Sequence, residues 1–318
     1  MSEPEAFVGL DIGGTNLRAL GFAPDGKILA EESAATLDGG TKAWLERARA
    51  IVRRILASCP SDVVVGVAAP GLPARDGRSI ASMPGRLAGL EGLIWQEWIG
   101  LDRPVPVFND AQAALLGEVW LGAAKGASNV VLLTLGTGVG GAAMVDGRLL
   151  HGHLGRAGHL GHVSLNPEGA RDIVNTPGSL EDAIGEHNLM TRSGGRFAST
   201  QELVEAFQRG SPEAAEIWLR SVRVLAAAVA GFINVLDPEV IVIGGGIADA
   251  GHSLFDPLRD TLDRFEWRPG GASVRLAKAA LGRKAGATGA AYGARLAATN
   301  SGAVRALQLH EPKIKLEP

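Results

Sequence analysis

Twice along this chain a buried apolar strand enters a glycine-rich turn and returns as a second strand. The first instance is Phe7–Leu10, "DIGGTN" and Leu17–Phe22; the second is "NVVLLTLGTGVGGAAMV", starting at Asn129. In each, turn chemistry at Pro24–Lys27 or at Asp146 and Gly147 then leads to a third strand, Ile28–Ala34 in the first, so both read as three-stranded meanders. A repeated order of this kind predicts two related α/β domains with a ligand cleft between them. The 318 residues, 46% of them hydrophobic, are enough for two cores.

The formal charge of -3 is spread without long runs of one sign, which argues against nucleic acid or an anionic membrane surface and for small-molecule partners. Cys59 is the single cysteine, so an internal disulfide and a cysteine-built zinc site are both excluded. The start, "MSEPEAFVGLD", lacks a basic and apolar leader, and no stretch approaches eighteen uncharged apolar residues, so the expected location is the cytoplasm.

Elsewhere the period changes. Trp44, Ala48, Ile51, Val52, Ile55 and Leu56 recur at helical spacing, with Thr41 as the expected N-cap. Val63–Gly71 and Val105–Phe108 read as buried strands separated by a long irregular stretch, and Ala111–Leu121 as a helix. Pro212–Leu236 predicts a long alanine-rich helix, Pro238–Gly246 and Ser273–Lys278 two strands, and Gly286–Ala298 a closing helix of small residues.

The turn "DIGGTN" lets backbone N–H groups approach an anion with no Cβ in the way, and phosphate is the expected guest. Asp11 at its mouth would repel phosphate unless a divalent cation such as Mg²⁺ lay between them; alone, it reads equally as a turn-stabilising carboxylate. "LGTGVGG" also meets the dinucleotide spacing through Gly136, Gly138 and Gly141, but it leads into a strand and an Asp-Gly hairpin rather than a helix. Gly244, Gly245 and Gly246 end a strand where a flat purine can lie against bare backbone, or where a loop simply turns. No Walker lysine or kinase "HRD" is present, so phosphate charge falls to backbone N–H groups, Mg²⁺ and helix N-termini. Asp110, ending a strand and opening a helix, is either a general base or a helix N-cap.

These three glycine turns and "FNDA", in this order, resemble the ASKHA superfamily of sugar kinases and actin-like ATPases, and more narrowly the ROK family, from Phe7 to about Leu296. The resemblance implies an α/β, two-domain actin-like ATPase fold (ribonuclease H-like). Its N-terminal domain would be residues 1–112, completed by the helix at about 286–298, its C-terminal nucleotide-binding domain 113–285, and 299–318 a C-terminal arm. It implies that Asp11, Gly13, Gly14 and Thr15 handle phosphate and Mg²⁺, that Gly136, Thr137 and Gly138 form a second phosphate loop, and that Gly244–Gly246 line the adenosine site of bound ATP. Asp110 becomes the catalytic base, with Asn109 and Gly71 contacting the sugar.

"HGHLGRAGHLGH" places four of the seven histidines in twelve positions. The family usually carries "AGE-x-GH" and then "C-x-C-G-x-x-G-C-x-E"; this chain has "AGHLGH" and "ARDIVNTPGSLED". By resemblance His162 matches a histidine that joins three cysteines on zinc and sits beside the sugar, and Glu181 matches a sugar-binding glutamate. Asp172, Val174 and Ser179 stand near the cysteine places, so no structural zinc is expected. His159 replaces a sugar-binding glutamate, exchanging a permanent acceptor for a group that donates or accepts. His151, His153, His159 and His162 have H-x-H and H-x-x-H spacings that suit a replacement metal site, although hydrogen bonding to a polyol or to the loop is favoured. Arg86, in "MPGRLAGLEG", stands in a loose match to a family sugar loop that normally has an asparagine.

The expectation is an ATP- and Mg²⁺-dependent kinase of a hexose or amino sugar, pairing as a homodimer by resemblance. The alternatives are a sugar-responsive regulator and a nucleotide-binding pseudokinase. Only six residues precede the first strand, leaving no space for a helix-turn-helix.

Overall fold

The computed structural model describes residues 3–299. These fall into two compact units, one of residues 3–117, 153–155 and 286–299, the other of 118–152 and 156–285. The segment 300–318, expected to be an arm, lies outside the described residues.

In the first unit, β1 (Ala6–Ile12), β2 (Asn16–Phe22) and β3 (Ile28–Ala35) form the expected antiparallel meander. Helix α1 (Ala43–Ala57) buries Trp44, Ala48, Ile51, Val52 and Ile55 against it. Its N-cap is Lys42 rather than Thr41, whose hydroxyl accepts only a long bond (3.4 Å) from the Ala43 N–H. Strand β4 (Val63–Ala69) pairs in parallel with β1. The stretch after it is not wholly irregular: β5 (Leu72–Pro73) and β6 (Ile80–Ser82) form a small hairpin, and α2 (Trp95–Ile99) buries Trp95 in the same core as α1. Strand β7 (Val107–Asn109) starts two residues later than Val105, and α3 (Asp110–Leu121) starts at Asp110, one residue before Ala111. The sheet order is β3-β2-β1-β4-β7.

The second unit repeats that plan with β8 (Val130–Leu135), β9 (Val139–Val145), β10 (Arg148–Leu149), β11 (Val240–Gly244) and β12 (Arg275–Lys278). Its order is β10-β9-β8-β11-β12, again with two antiparallel pairings followed by two parallel ones. Short helices α4 (Leu180–Ile184) and α5 (Leu189–Arg192) and the capped α6 (Thr200–Gln208) lead to α7 (Pro212–Leu236). Helix α7 is long and apolar enough, by length and composition, to cross a membrane, but Trp218, Val222, Leu225, Val229 and Ile233 are packed into this unit's core.

Helix α8 (His252–Phe265), not foreseen from the sequence, packs Leu254, Leu258 and Leu262 into the same core. It contains Pro257, which cannot donate to the Ser253 carbonyl one turn back. The Trp218 indole N–H takes that carbonyl instead, at 2.8 Å. A tertiary contact thus supplies the bond that the proline removes.

Helix α9 (Ala285–Thr299) explains its own composition. A Cβ at Gly9 of β1 or at Gly66 of β4 would collide with the α9 backbone, and one at Gly289 would collide with the α3 backbone at Ala113. Only small residues on both sides permit this depth of packing, and it carries Gly286 up to Asp11.

Candidate active site

The first glycine turn joins β1 to β2. Gly13 donates its N–H to the Asn16 carbonyl (2.9 Å), and the Thr36 hydroxyl donates to the Gly13 carbonyl (2.7 Å), which fixes the loop backbone. Arg86 covers Gly14 so closely that a Cβ there would fall on Nη2. Asp38 anchors that side chain, 3.7 Å from its Nε, and also accepts the Leu87 N–H. The structure therefore sets a side-chain cation beside the first turn, in a chain that lacks a Walker lysine.

Asp11 lies on β1, in register with Arg18 on β2 and Ala68 on β4. Desolvation, and after it the charge of Asp110, push its carboxyl up to about 7, against the opposing pull of Arg18. Carboxylate oxygen is the donor type that Mg²⁺ takes, and Asp11 and Asp110 are the groups of this region that carry it.

Asn109 is buried and held by three hydrogen bonds. Its Oδ1 accepts the Ala111 N–H (2.9 Å), its Nδ2 donates to the Gly71 carbonyl (2.9 Å), and the Gln112 side chain reaches back to its N–H (3.1 Å). This is a capping box with Asn109 as N-cap. The cap function considered for Asp110 thus belongs to its neighbour, and Asp110 stands exposed as the first helical residue, with Oδ1 also 2.8 Å from the Ala111 N–H. Gly71 is required where it is: φ is +103°, and a Cβ would meet the Ile80 side chain at 2.8 Å.

In the second unit, the turn Gly136–Gly138 is closed by a bond from the Gly136 N–H to the Gly138 carbonyl (2.9 Å). Glu181, at the start of α4, accepts the Val139 N–H (2.8 Å) and fills the space beside Gly138. One of its carboxylate oxygens is therefore committed to this loop. His187 braces the other side, donating its backbone N–H to the Thr137 carbonyl (2.9 Å) and placing Nδ1 at the same distance from that oxygen. Its Nε2 meets Asp182 at 2.9 Å. Burial alone would lower the His187 pKa, but these two acceptors raise it above the ordinary imidazole value.

Gly244 closes β11, and Gly245 adopts φ +85° against the Leu135 carbonyl, so the fold itself demands that glycine. Gly246 and Gly136 differ: among the described residues, none beyond the adjoining backbone comes within 4 Å of where their Cβ would be. Both expose bare backbone to open space, as a ligand would use it.

The "AGHLGH" segment packs on β9, because a Cβ at Gly161 would collide with the Val139 carbonyl and one at Gly141 would meet the Gly158 carbonyl at 2.8 Å. His162 and His159 are thereby brought into the unit that holds Glu181 and the Gly136–Gly138 loop. His162 Nδ1 is 2.8 Å from Asp172 Oδ2, and the Asp172 side chain has no exposed surface. Burial acts to raise the Asp172 pKa, but bonds from His162, Thr176, Ser179 and Val174 outweigh it and hold the carboxyl below its usual range. His151 is pushed below the ordinary imidazole value by burial, and His153 belongs to the first unit. Among the described residues no three His, Cys, Asp or Glu side chains gather as a metal site requires.

The structural partnerships of His187, Asp182 and Asp172 are not visible in the sequence, since only tertiary folding brings these residues to the loops they hold. The capping box is visible there, as N-x-x-Q in "NDAQ".

Comparison with known proteins places this geometry among relatives. The family model described as "ROK family" matches residues 7–296. A glucokinase of Halalkalibacterium halodurans is 31% identical over 318 residues, covering 90% of this chain and 94% of that protein. Among solved structures, a ROK hexokinase from Thermus thermophilus has a TM-score of 0.81 at 31% identity, over 93% of this chain and 100% of the other. A ROK family glucokinase from Streptomyces griseus, in complex with glucose and AMPPNP, has a TM-score of 0.68 at 27% identity, over 91% and 99%.

Proposed function

The chain belongs to the ROK family, with its two-domain, actin-like α/β fold, and from that premise we propose that it transfers the γ-phosphoryl group of ATP to a hydroxyl of a hexose or amino sugar. The supporting relatives are glucokinases and a hexokinase, one of them bound to glucose and a nucleotide analogue. The relatives support a sugar kinase; the identity of the sugar, the use of ATP and the roles below are our reading.

Asp110 accepts the proton of the sugar hydroxyl as its oxygen attacks the γ-phosphorus and ADP leaves. The observation that carries this assignment is the capping box: Asn109 and Gln112 satisfy the helix start, so Asp110 is exposed at a fixed place rather than consumed as a cap. Asn109 and Gly71, tied to each other, shape the sugar side. Gly13, Gly14 and Thr15, with Arg86 over Gly14, receive phosphate oxygens. Gly136, Thr137 and Gly138 hold phosphate in the second unit, and Gly244–Gly246 lie along the adenosine. Asp11 would hold Mg²⁺, which when bound neutralises and orients the phosphate oxygens. His159, His162 and Glu181 complete sugar recognition. The reading includes a cytoplasmic homodimer.

A second reading, a sugar- and nucleotide-binding regulator without turnover, is favoured by His159 in place of the family's glutamate. An ADP-release assay across hexoses, N-acetylhexosamines and polyols decides between them. Turnover on at least one sugar, lost in Asp110→Asn, supports the kinase; silence across the panel with nucleotide still bound supports the regulator.

A further inference from the structure

The ROK resemblance implies a zinc ion on His162, and the residues here do not fit one. Of the positions near the three missing cysteines, Val174 has no donor and Ser179 has a neutral hydroxyl that accepts the Asp182 N–H at 3.3 Å. Asp172, the third, has both oxygens engaged. Oδ1 accepts the Val174 N–H (3.0 Å) and the Thr176 N–H (2.8 Å), and Oδ2 faces His162 Nδ1 at 2.8 Å. The segment around it closes on itself without metal. Asp172 donates its N–H to the Thr176 carbonyl, Gly178 to the Ala170 carbonyl, and the Ser164 hydroxyl to the Pro177 carbonyl (2.6 Å).

We propose that the buried Asp172 carboxylate takes over the orienting task of the metal, fixing His162 as the Nδ1–H tautomer so that Nε2 is presented to the sugar as an acceptor. A carboxylate only accepts, so Nδ1 must be the donor, and in neutral imidazole the other nitrogen then carries the lone pair. A metal on Nδ1 would instead occupy the lone pair there and leave the proton on the far nitrogen. The hydroxyl facing His162 therefore donates to it here, where a histidine bound to metal through Nδ1 would donate to the hydroxyl. Relative to a histidine bound to metal through Nδ1, the hydrogen bond to the sugar would be reversed in polarity at this position, without any change of the residue itself. The opposite change is open to His159, where the family's obligate acceptor has become a group able to donate. Asp172 is a positioning residue: it acts through His162. The sugar half of this inference rests on the proposed function; the tautomer half does not.

Asp172→Asn tests it. The amide oxygen keeps the bonds from Val174 and Thr176, so the loop stays folded, while the NH₂ now faces Nδ1 and compels it to accept. Nitrogen-15 NMR of His162, read on the neutral ring, is expected to show Nδ1–H in the wild type and Nε2–H in Asp172→Asn. The sugar KM is expected to rise about tenfold or more with the nucleotide KM unchanged. Asp172→Ala, which removes the oxygens that the loop amides use, is the control for unfolding. An Nε2–H tautomer in the wild type, an unchanged tautomer in Asp172→Asn, or stoichiometric zinc in the purified protein whose chelation removes sugar binding would each overturn the proposal. If the wild type binds no sugar at all, the proposed function fails, and the NMR comparison still decides the tautomer.

Discussion

Gly286 faces Asp11 so closely that a Cβ on the glycine would lie 2.6 Å from both Cγ and Oδ2 of the carboxylate. The contact exists because the small-residue helix α9 packs directly on β1 and β4. Gly286 is thus a steric wall of the Asp11 site. Gly286→Ala should affect catalysis more than stability. Helix propensity favours alanine by up to about 1 kcal/mol, which offsets part of the overpacking cost of about 1–3 kcal/mol as the added methyl displaces Asp11. We expect a folded protein whose unfolding midpoint lies within several degrees of wild type, with kcat at least about tenfold lower, because an ångström-scale misplacement of a catalytic group costs on the order of 10²-fold. Wild-type turnover in a folded Gly286→Ala protein would remove Asp11 from the site.

Asp110 and Asn109 separate chemistry from folding in adjacent positions. Asp110→Asn removes the proton acceptor and leaves the capping box intact, so turnover should fall by roughly 10² to 10⁴ while sugar and nucleotide still bind. Asn109→Ala removes the cap and the tie to Gly71, and should cost about 1–2 kcal/mol of stability. Calorimetry of ligand binding to Asp110→Asn, beside thermal unfolding of both variants, checks the division; loss of stability in Asp110→Asn as large as in Asn109→Ala contradicts it.

Much of this arrangement is written in local pattern. Apolar runs broken by glycine locate both meanders, and the bounds Pro212–Leu236 follow from Ser211 as cap, Pro212 at the first turn and Asp237-Pro238 just beyond Leu236, the interior Gly231 being carried by the packed helix. Helix α8 is not legible because Pro257 denies its interior a backbone bond, and only the distant Trp218 replaces it. The same holds at the loops. "LGTGVGG" announces a glycine turn between two strands, but nothing local says that Glu181 and His187 will hold it. His162 can be matched to its family place by spacing; that Asp172 meets its Nδ1 depends on how residues 164–179 fold.

Glu118 is a buried carboxylate outside the proposed chemistry. It accepts the N–H groups of Ala123 (2.7 Å), Ala280 (3.0 Å) and Leu281 (2.9 Å), tying the end of α3 to the segment after β12. Glu118→Gln turns one acceptor into a donor facing a backbone N–H, which leaves a buried amide without its partner. The cost should be about 2–3 kcal/mol, a fall of several degrees in the unfolding midpoint. A midpoint within about one degree of wild type would show that these bonds are dispensable.

His187 makes the hold on the second loop depend on pH. Its two ring nitrogens face two acceptors, the Thr137 carbonyl and the Asp182 carboxylate, and only the doubly protonated ring donates to both. Burial opposes that charge, but the acceptors prevail and the folded pKa lies above the unfolded imidazole value of 6.5. A group whose pKa is raised on folding contributes stability that is complete below the unfolded value and disappears as pH climbs through the folded one. The difference in unfolding free energy between wild type and His187→Asn should therefore be largest in mild acid, shrink as pH rises above 6.5, and then level off. Because the ring is partly exposed, solvent screens the effect and the difference should be small. Nucleotide binding should track this difference, since loss of the Nδ1 proton leaves the Thr137 carbonyl, in the middle of the proposed phosphate loop, held by the His187 backbone N–H alone. We expect the nucleotide KM of the wild type to climb across this interval relative to that of His187→Asn, which removes the ring's titration while leaving any titration of the nucleotide in both. Parallel pH profiles in the two proteins would show that the clamp does not reach the ligand.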